Sequence, residues 1–148
     1  MWFLTLAFSI VAGCTGDKTA EEGVSDKVIQ GQVGYAEVPG GRLFFETAGS
    51  GEALVLIHGN AGDRRHWDAQ MELAEQVLVI RYDVRGFGES SLPVEGQPYS
   101  NSGDLAALLD HLGIEEAHVA GWSMGSGIAV DFALAFPERA KESLHKSI

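Results

Sequence analysis

Three nearly uninterrupted apolar runs punctuate the middle of the chain, at residues 53–57, 77–82 and 117–120. Consecutive rather than alternating apolar side chains belong to parallel strands buried on both faces. Between and after these runs the period lengthens. Over residues 104–112, Leu105, Leu108, Leu109 and Leu112 fall on one helical stripe, closed by Gly113. Residues 67–75 predict a short helix. Another helix opens after residue 123, with Ile128, Phe132, Ala135 and Phe136 in its apolar period, and Pro137 stops it. Upstream, residues 35–38 and 42–47 predict two strands joined by the turn Pro39-Gly40-Gly41. Strands alternating with helices predict an α/β fold with a mostly parallel sheet of about five strands. Residues 140–148 are mostly polar and predict no further strand, which would leave the strand at 117–120 as an open sheet edge.

The N-terminus has a different texture. Residues 1–14 carry no charged side chain, and residues 2–12 form an apolar run. The run is too short to cross a bilayer as a helix and suits the apolar region of a secretory signal. It ends in Val11-Ala12-Gly13-Cys14, which resembles the lipobox of bacterial lipoproteins. That resemblance implies cleavage before Cys14 and a lipid on its sulfur. With Thr15 rather than an aspartate next, it also implies an outer-membrane position on the periplasmic side of the cell envelope. The sequence departs from the lipoprotein pattern in having no Lys or Arg before the apolar run. On the residues alone, a buried N-terminal strand with a core cysteine stays open. Residues 15–32 are polar, with three glycines and no apolar period, and predict a flexible tether. The folded domain is then expected over residues 33–148.

Charge narrows the partners. Lys and Arg total 10 against 21 Asp and Glu, a net charge of −11. That balance argues against nucleic acid, which needs clustered cations, and against a basic membrane-surface helix. A single cysteine precludes an internal disulfide.

The chemistry concentrates at strand ends. Gly121-Trp122-Ser123-Met124-Gly125 reads G-x-S-x-G between a predicted strand and a predicted helix, the setting of a nucleophile elbow. His58-Gly59-Asn60 follows the strand at 53–57, and Asp83-x-Arg85-Gly86-x-Gly88-x-Ser90 follows that at 77–82. Ligands bind at the carboxyl ends of strands in open α/β sheets. Together the three segments resemble the α/β-hydrolase superfamily, over about residues 33–140. The resemblance implies that Ser123 is the nucleophile. It implies that the backbone N–H groups of Met124 and Asn60 receive the oxyanion and that His58 orders its loop. Asp83 and Arg85 would brace the neighbouring loop, as an ion pair or a cap. Trp122 either lines an acyl pocket or packs beneath a lid. A small-molecule acyl substrate is implied, with no metal or organic cofactor. No second His, Cys or carboxylate stands at metal-ligand spacing from His58. His66, His111 and His118 read as solvent-facing or structural.

The superfamily's order is nucleophile, acid, histidine. After Ser123 the chain offers Asp131, Glu138, Glu142 and His145. The elbow helix is expected to carry the chain roughly 20 Å from Ser123, which would set His145 far from it. The resemblance implies further strands and a lid. The expectation is therefore the N-terminal half of a serine hydrolase, acting on carboxylic esters or related acyl compounds through an acyl-serine, and without its acid and base. Two alternatives stand beside it. One is a lipid-anchored pseudoenzyme that binds a small molecule. The other reads Gly121-x-x-x-Gly125-x-Gly127 as a dinucleotide-binding turn, which needs a further strand and an acidic residue about 20 positions on.

Overall fold

The computed structural model describes residues 31–146, the last five as backbone. Cys14, the apolar run before it and most of the predicted tether lie outside those residues. The strands are β1 (Val33–Val38), β2 (Gly41–Ala48), β3 (Ala53–Ile57), β4 (Leu78–Tyr82), β5 (Ala117–Trp122) and β6 (Ala140–Lys146). They form one sheet in the order β1-β2-β4-β3-β5-β6. The β1/β2 and β2/β4 pairs are antiparallel, and the other three are parallel. Helix α1 (Asn101–Leu112) links β4 to β5, and α2 (Met124–Ala135) links β5 to β6.

Alternation along the strands assigns the faces. Leu43, Phe45, Val55, Ile57, Ile80 and Tyr82 join Leu105, Leu108, Leu109, Ile128 and Phe132 in one buried cluster under α1 and α2. On the opposite face Arg81 reaches Glu46 and Asp68 beside the segment Arg64–Glu75. That segment was expected to be a short helix from residue 67. It is instead a 3-10 stretch, interrupted at Trp67 (φ −103°, ψ 18°), and none of its residues is buried. A segment that fully buries none of its residues has little of the tertiary packing that holds a regular α-helix.

Helix α1 begins earlier than the leucine stripe suggests. Ser100 caps it by accepting from the Gly103 N–H at 3.0 Å, and Gly113 ends it at φ 67°. Its first turn turns a carboxylate inward. Asp104 receives a two-pronged bond from Arg85 (2.7 and 2.8 Å), with the two side chains only 5% and 2% exposed. The remaining Arg85 donors reach the carbonyls of Pro39 and Gly40 (2.8 and 2.9 Å). One guanidinium thus joins the β1–β2 turn, the loop after β4 and α1. Removing one partner of such a buried pair costs about 3–5 kcal/mol.

The expectation that residues 140–148 add no strand is corrected. Backbone ladder bonds hold β6 parallel to β5, with Ala120 opposite Leu144 and Gly121 opposite His145. Ladder formation does not require apolar side chains. The near-continuous apolar run marks only strands covered on both faces, and Lys141 at the start of β6 is exposed. It pairs with Glu52 at 2.8 Å and Glu116 at 3.1 Å. So β5 is not an open edge. The distance argument against His145 falls with it, because β6 brings the chain back and sets the His145 backbone level with Gly121.

Candidate active site

The strand order fixes where the candidate loops meet. The chain leaves β3 for β4 on one side of it and then crosses to β5 on the other. A crevice opens at the carboxyl ends of strands where the winding reverses in this way. Ile57 is in register with both Tyr82 and Gly121. His58, Asp83 and the Trp122-Ser123 turn therefore leave the sheet at one level, side by side.

The turn after β5 is strained. Ser123 has φ 52° and ψ −112°. Among the described residues only one other non-glycine has positive φ, Ala61 at 62°, just beyond His58-Gly59-Asn60. Such conformations cost about 1–3 kcal/mol each and cluster at functional sites. Ser123 also occupies the N-cap position of α2, yet its side chain makes no capping bond. A capping serine is normally worth about 1 kcal/mol. Among the described residues the hydroxyl forms no hydrogen bond, and the residue is exposed.

The flanking glycines are required by contact. A Cβ on Gly121 would stand 2.1 Å from the Gly125 carbonyl oxygen, and one on Gly125 would stand 2.3 Å from that of Ile57. Gly59 is tight but less so, since a Cβ there would lie 2.7 Å from Cδ1 of Trp122 and 3.2 Å from its carbonyl oxygen. The β3 loop and the elbow thus meet backbone to backbone.

His58 is fully buried, and its ring sets the course of that loop. The Val84 N–H donates to Nε2 at 3.0 Å, so the proton resides on Nδ1, which donates to the Gly59 carbonyl at 2.8 Å. Phe87 packs edge-on against the ring. Asn60 is exposed and forms no hydrogen bond among the described residues. The N–H of Met124, the first helical residue, is one of the donors that a helix leaves without an intrahelical partner.

The loop after β4 is a scaffold. Asp83 and Arg85 do not pair with each other. Asp83, fully buried, accepts from the N–H groups of Arg64 and Glu89 (both 2.8 Å) and from the Arg64 guanidinium at 2.9 Å. Arg85 pairs with Asp104 instead. The Ser90 hydroxyl donates to the Asp83 carbonyl and accepts from the Phe44 N–H at 2.9 Å, tying the loop to β2. Arg64 lies among Glu46, Asp83 and Glu89 and over the Phe44 ring. Burial works against the Glu46 charge, but the Arg64 and Arg81 guanidinium groups hold its carboxyl below the ordinary range. The sequence did carry a signal for the Asp104 partnership. Asp104 stands four residues before Leu108 and eight before Leu112, on the apolar stripe, where a carboxylate needs a cation. Nothing in the sequence marked Arg64.

Trp122 is 38% exposed, and its ring lies against that of His66 (centroids 5.6 Å apart, 36° between planes). His66 also meets Trp67 edge-on. His111 meets Phe45 edge-on, and His118 stands 3.9 Å from Glu52. Among the described residues no three His, Cys, Asp or Glu side chains are grouped as a metal site. The strand that a dinucleotide-binding turn requires does exist, as β6. The glycines, however, do other work: Gly121 and Gly125 clear the packing of α2 on β5 and β3, and nothing lies within 4 Å of a Cβ on Gly127.

A family profile described as alpha/beta hydrolase fold matches residues 52–142. The chain is 40% identical over 123 residues to the dihydrolipoyllysine-residue acetyltransferase component of the acetoin cleaving system of Pseudomonas putida, covering 80% of this chain and 33% of that protein. It is 38% identical over 100 residues to a soluble epoxide hydrolase of a Corynebacterium species, covering 66% and 35%. The structure resembles that of epoxide hydrolase A from Mycobacterium thermoresistibile, with a TM-score of 0.70, 29% identity and coverage of 77% and 38%. The chain spans about a third of the length of the curated relatives it matches.

Proposed function

We propose that this chain, which belongs to the α/β-hydrolase family, carries in Ser123 the nucleophile of an acyl-group hydrolysis. One observation carries the reading: Ser123 is held at φ 52° between β5 and α2, exposed, with its hydroxyl making no capping bond to the helix it opens. Strain at an exposed residue whose side chain does not cap its helix is a cost that chemistry can explain.

In this reading the Ser123 Oγ attacks the carbonyl carbon of an ester or related acyl compound while a general base takes its proton. The carbonyl electrons move to oxygen, and the resulting oxyanion accepts from the N–H groups of Met124 and Asn60. Collapse expels the alcohol and leaves an acyl-serine, which water hydrolyses to release the acid. One oxyanion donor is typically worth about 100- to 1,000-fold in turnover. His58 contributes indirectly, by fixing the Gly59 peptide and so the aim of the next N–H. In the family's order the acid and the base follow the nucleophile in sequence. Trp122 and His66 form an aromatic wall beside Ser123 that suits an apolar acyl or alcohol group. A lipid on Cys14 would hold the protein at the cell envelope, at the outer membrane on its periplasmic side.

The test is a fluorophosphonate probe, which phosphonylates a serine that is both activated and faced by oxyanion donors. Labelling at Ser123, absent from Ser123→Ala, is the expected result. A folded preparation that takes no label would overturn the reading in favour of a binding module without catalysis.

A further inference from the structure

The strained turn at Ser123 has to be held by its surroundings, and one side chain spans it. The Ser126 N–H donates to the Ser123 carbonyl at 2.9 Å. The Ser126 hydroxyl reaches back across the turn and donates to the Gly121 carbonyl at 2.8 Å. One residue therefore grips the main chain at the turn and just before it. Gly121 is itself anchored, in register with Ile57 on one side and His145 on the other. The hydroxyl thus links the first turn of α2 to a fixed point of the sheet.

A serine in the first turn of a helix has simpler options. It can cap locally, bond to the carbonyl four residues back along the helix, or point to water. Ser126 is half-buried, so water was available to it. Its acceptor instead lies five residues back, on the strand. A bond inside the helix would steady only the helix, whereas this one fixes the distance between strand end and helix start, across which Ser123 is bent.

We infer that Ser126 is a positioning residue for Ser123, a clamp whose hydroxyl keeps the nucleophile's backbone in its positive-φ conformation. The inference rests on the reading of Ser123 as nucleophile, but its structural half can be measured independently. Two variants of the full chain decide it. Ser126→Ala removes the hydroxyl, and Ser126→Thr keeps it. The first readout is the H–N–Cα–H coupling of Ser123 by NMR, read together with its one-bond Cα–Hα coupling, which separates positive from negative φ. The second is the rate of fluorophosphonate labelling, compared at equal folded fraction. Ser126→Ala should move the Ser123 coupling away from its wild-type value and slow labelling by about tenfold, roughly what one lost hydrogen bond carries. Ser126→Thr should restore both. A wild-type coupling and labelling rate in Ser126→Ala would overturn the clamp. If the wild-type chain takes no label, the nucleophile reading fails, while the Ser123 coupling still decides the clamp. Should Ser126→Ala not fold, Ser126→Cys, with its weak thiol donor, takes its place under the same two readouts.

Discussion

Adding one methyl group at Gly121 should damage this protein more than adding one six residues later. A Cβ on Gly121 would stand 2.1 Å from the Gly125 oxygen, 2.2 Å from its carbonyl carbon and 2.5 Å from the Ser126 nitrogen. All three are backbone atoms in the first turn of α2, so no side chain can swing aside. Ordinary contact begins at 3.4 Å, so the turn would have to retreat by roughly 1.3 Å. It has little slack, because Gly125 is pressed on the carbonyls of Ile57 and His58. Overpacking of this kind costs about 1–3 kcal/mol. At about 3 °C per kcal/mol for a chain of this size, Gly121→Ala should lower Tm by roughly 3–10 °C. The same displacement moves Ser123 relative to the β3 loop, and a misplacement of about 1 Å can cost about 100-fold in rate. Gly127→Ala is the control, since nothing lies within 4 Å of its Cβ. In the interior of α2 it should gain about 0.5–1 kcal/mol of helix stability and leave labelling unchanged. Calorimetry and fluorophosphonate labelling rates, taken on the same preparations, give both numbers. Wild-type stability and labelling in Gly121→Ala, or an equal loss in Gly127→Ala, would refute the close-contact account of the elbow.

Two further outcomes follow from the charges and from the N-terminus. Burial disfavours the Glu46 charge, but Arg64 and Arg81 override it and hold the folded carboxyl below its ordinary value of 4.5. The unfolded chain therefore binds that proton more readily, so the contribution of Glu46 is complete above pH 4.5 and is lost as pH falls through the lowered folded value. Tm should fall less steeply below pH 4.5 in Glu46→Gln than in the wild type, and parallel curves would contradict the pairing. If a lipid on Cys14 anchors the protein as proposed, Cys14→Ala should move it from the membrane fraction to the soluble fraction when it is produced in a bacterium, and unchanged attachment would rule out a lipid anchor there.

The parts of the fold that the sequence made legible are those where burial dictates composition. Residues 53–57 are β3 to the residue, because a strand covered on both faces leaves no place for polar side chains. The elbow is legible for a related reason: Gly121 and Gly125 are forced by contacts under 2.5 Å, so chemistry and sterics converge on one short string. The remainder depends on geometry that periodicity does not carry. Strand β6 is held by a backbone ladder and by Lys141 pairing with Glu52, 89 positions away in sequence. Asp83 and Arg85 are neighbours in sequence with partners on different elements, Arg64 and Asp104. The resemblance placed both in a scaffold; only the fold identifies what each one holds. The part played by Ser126 was invisible for the same reason, since its acceptor is a backbone carbonyl.

The central claim is that Ser123 is the nucleophile of an acyl-group hydrolysis rather than a relic in a binding pocket. Fluorophosphonate labelling of the folded protein, with the modified residue located by mass spectrometry, tests it most directly. The account predicts a single modified serine, Ser123, and no modification in Ser123→Ala. A folded protein that stays unlabelled, or a label that persists in Ser123→Ala, would contradict it.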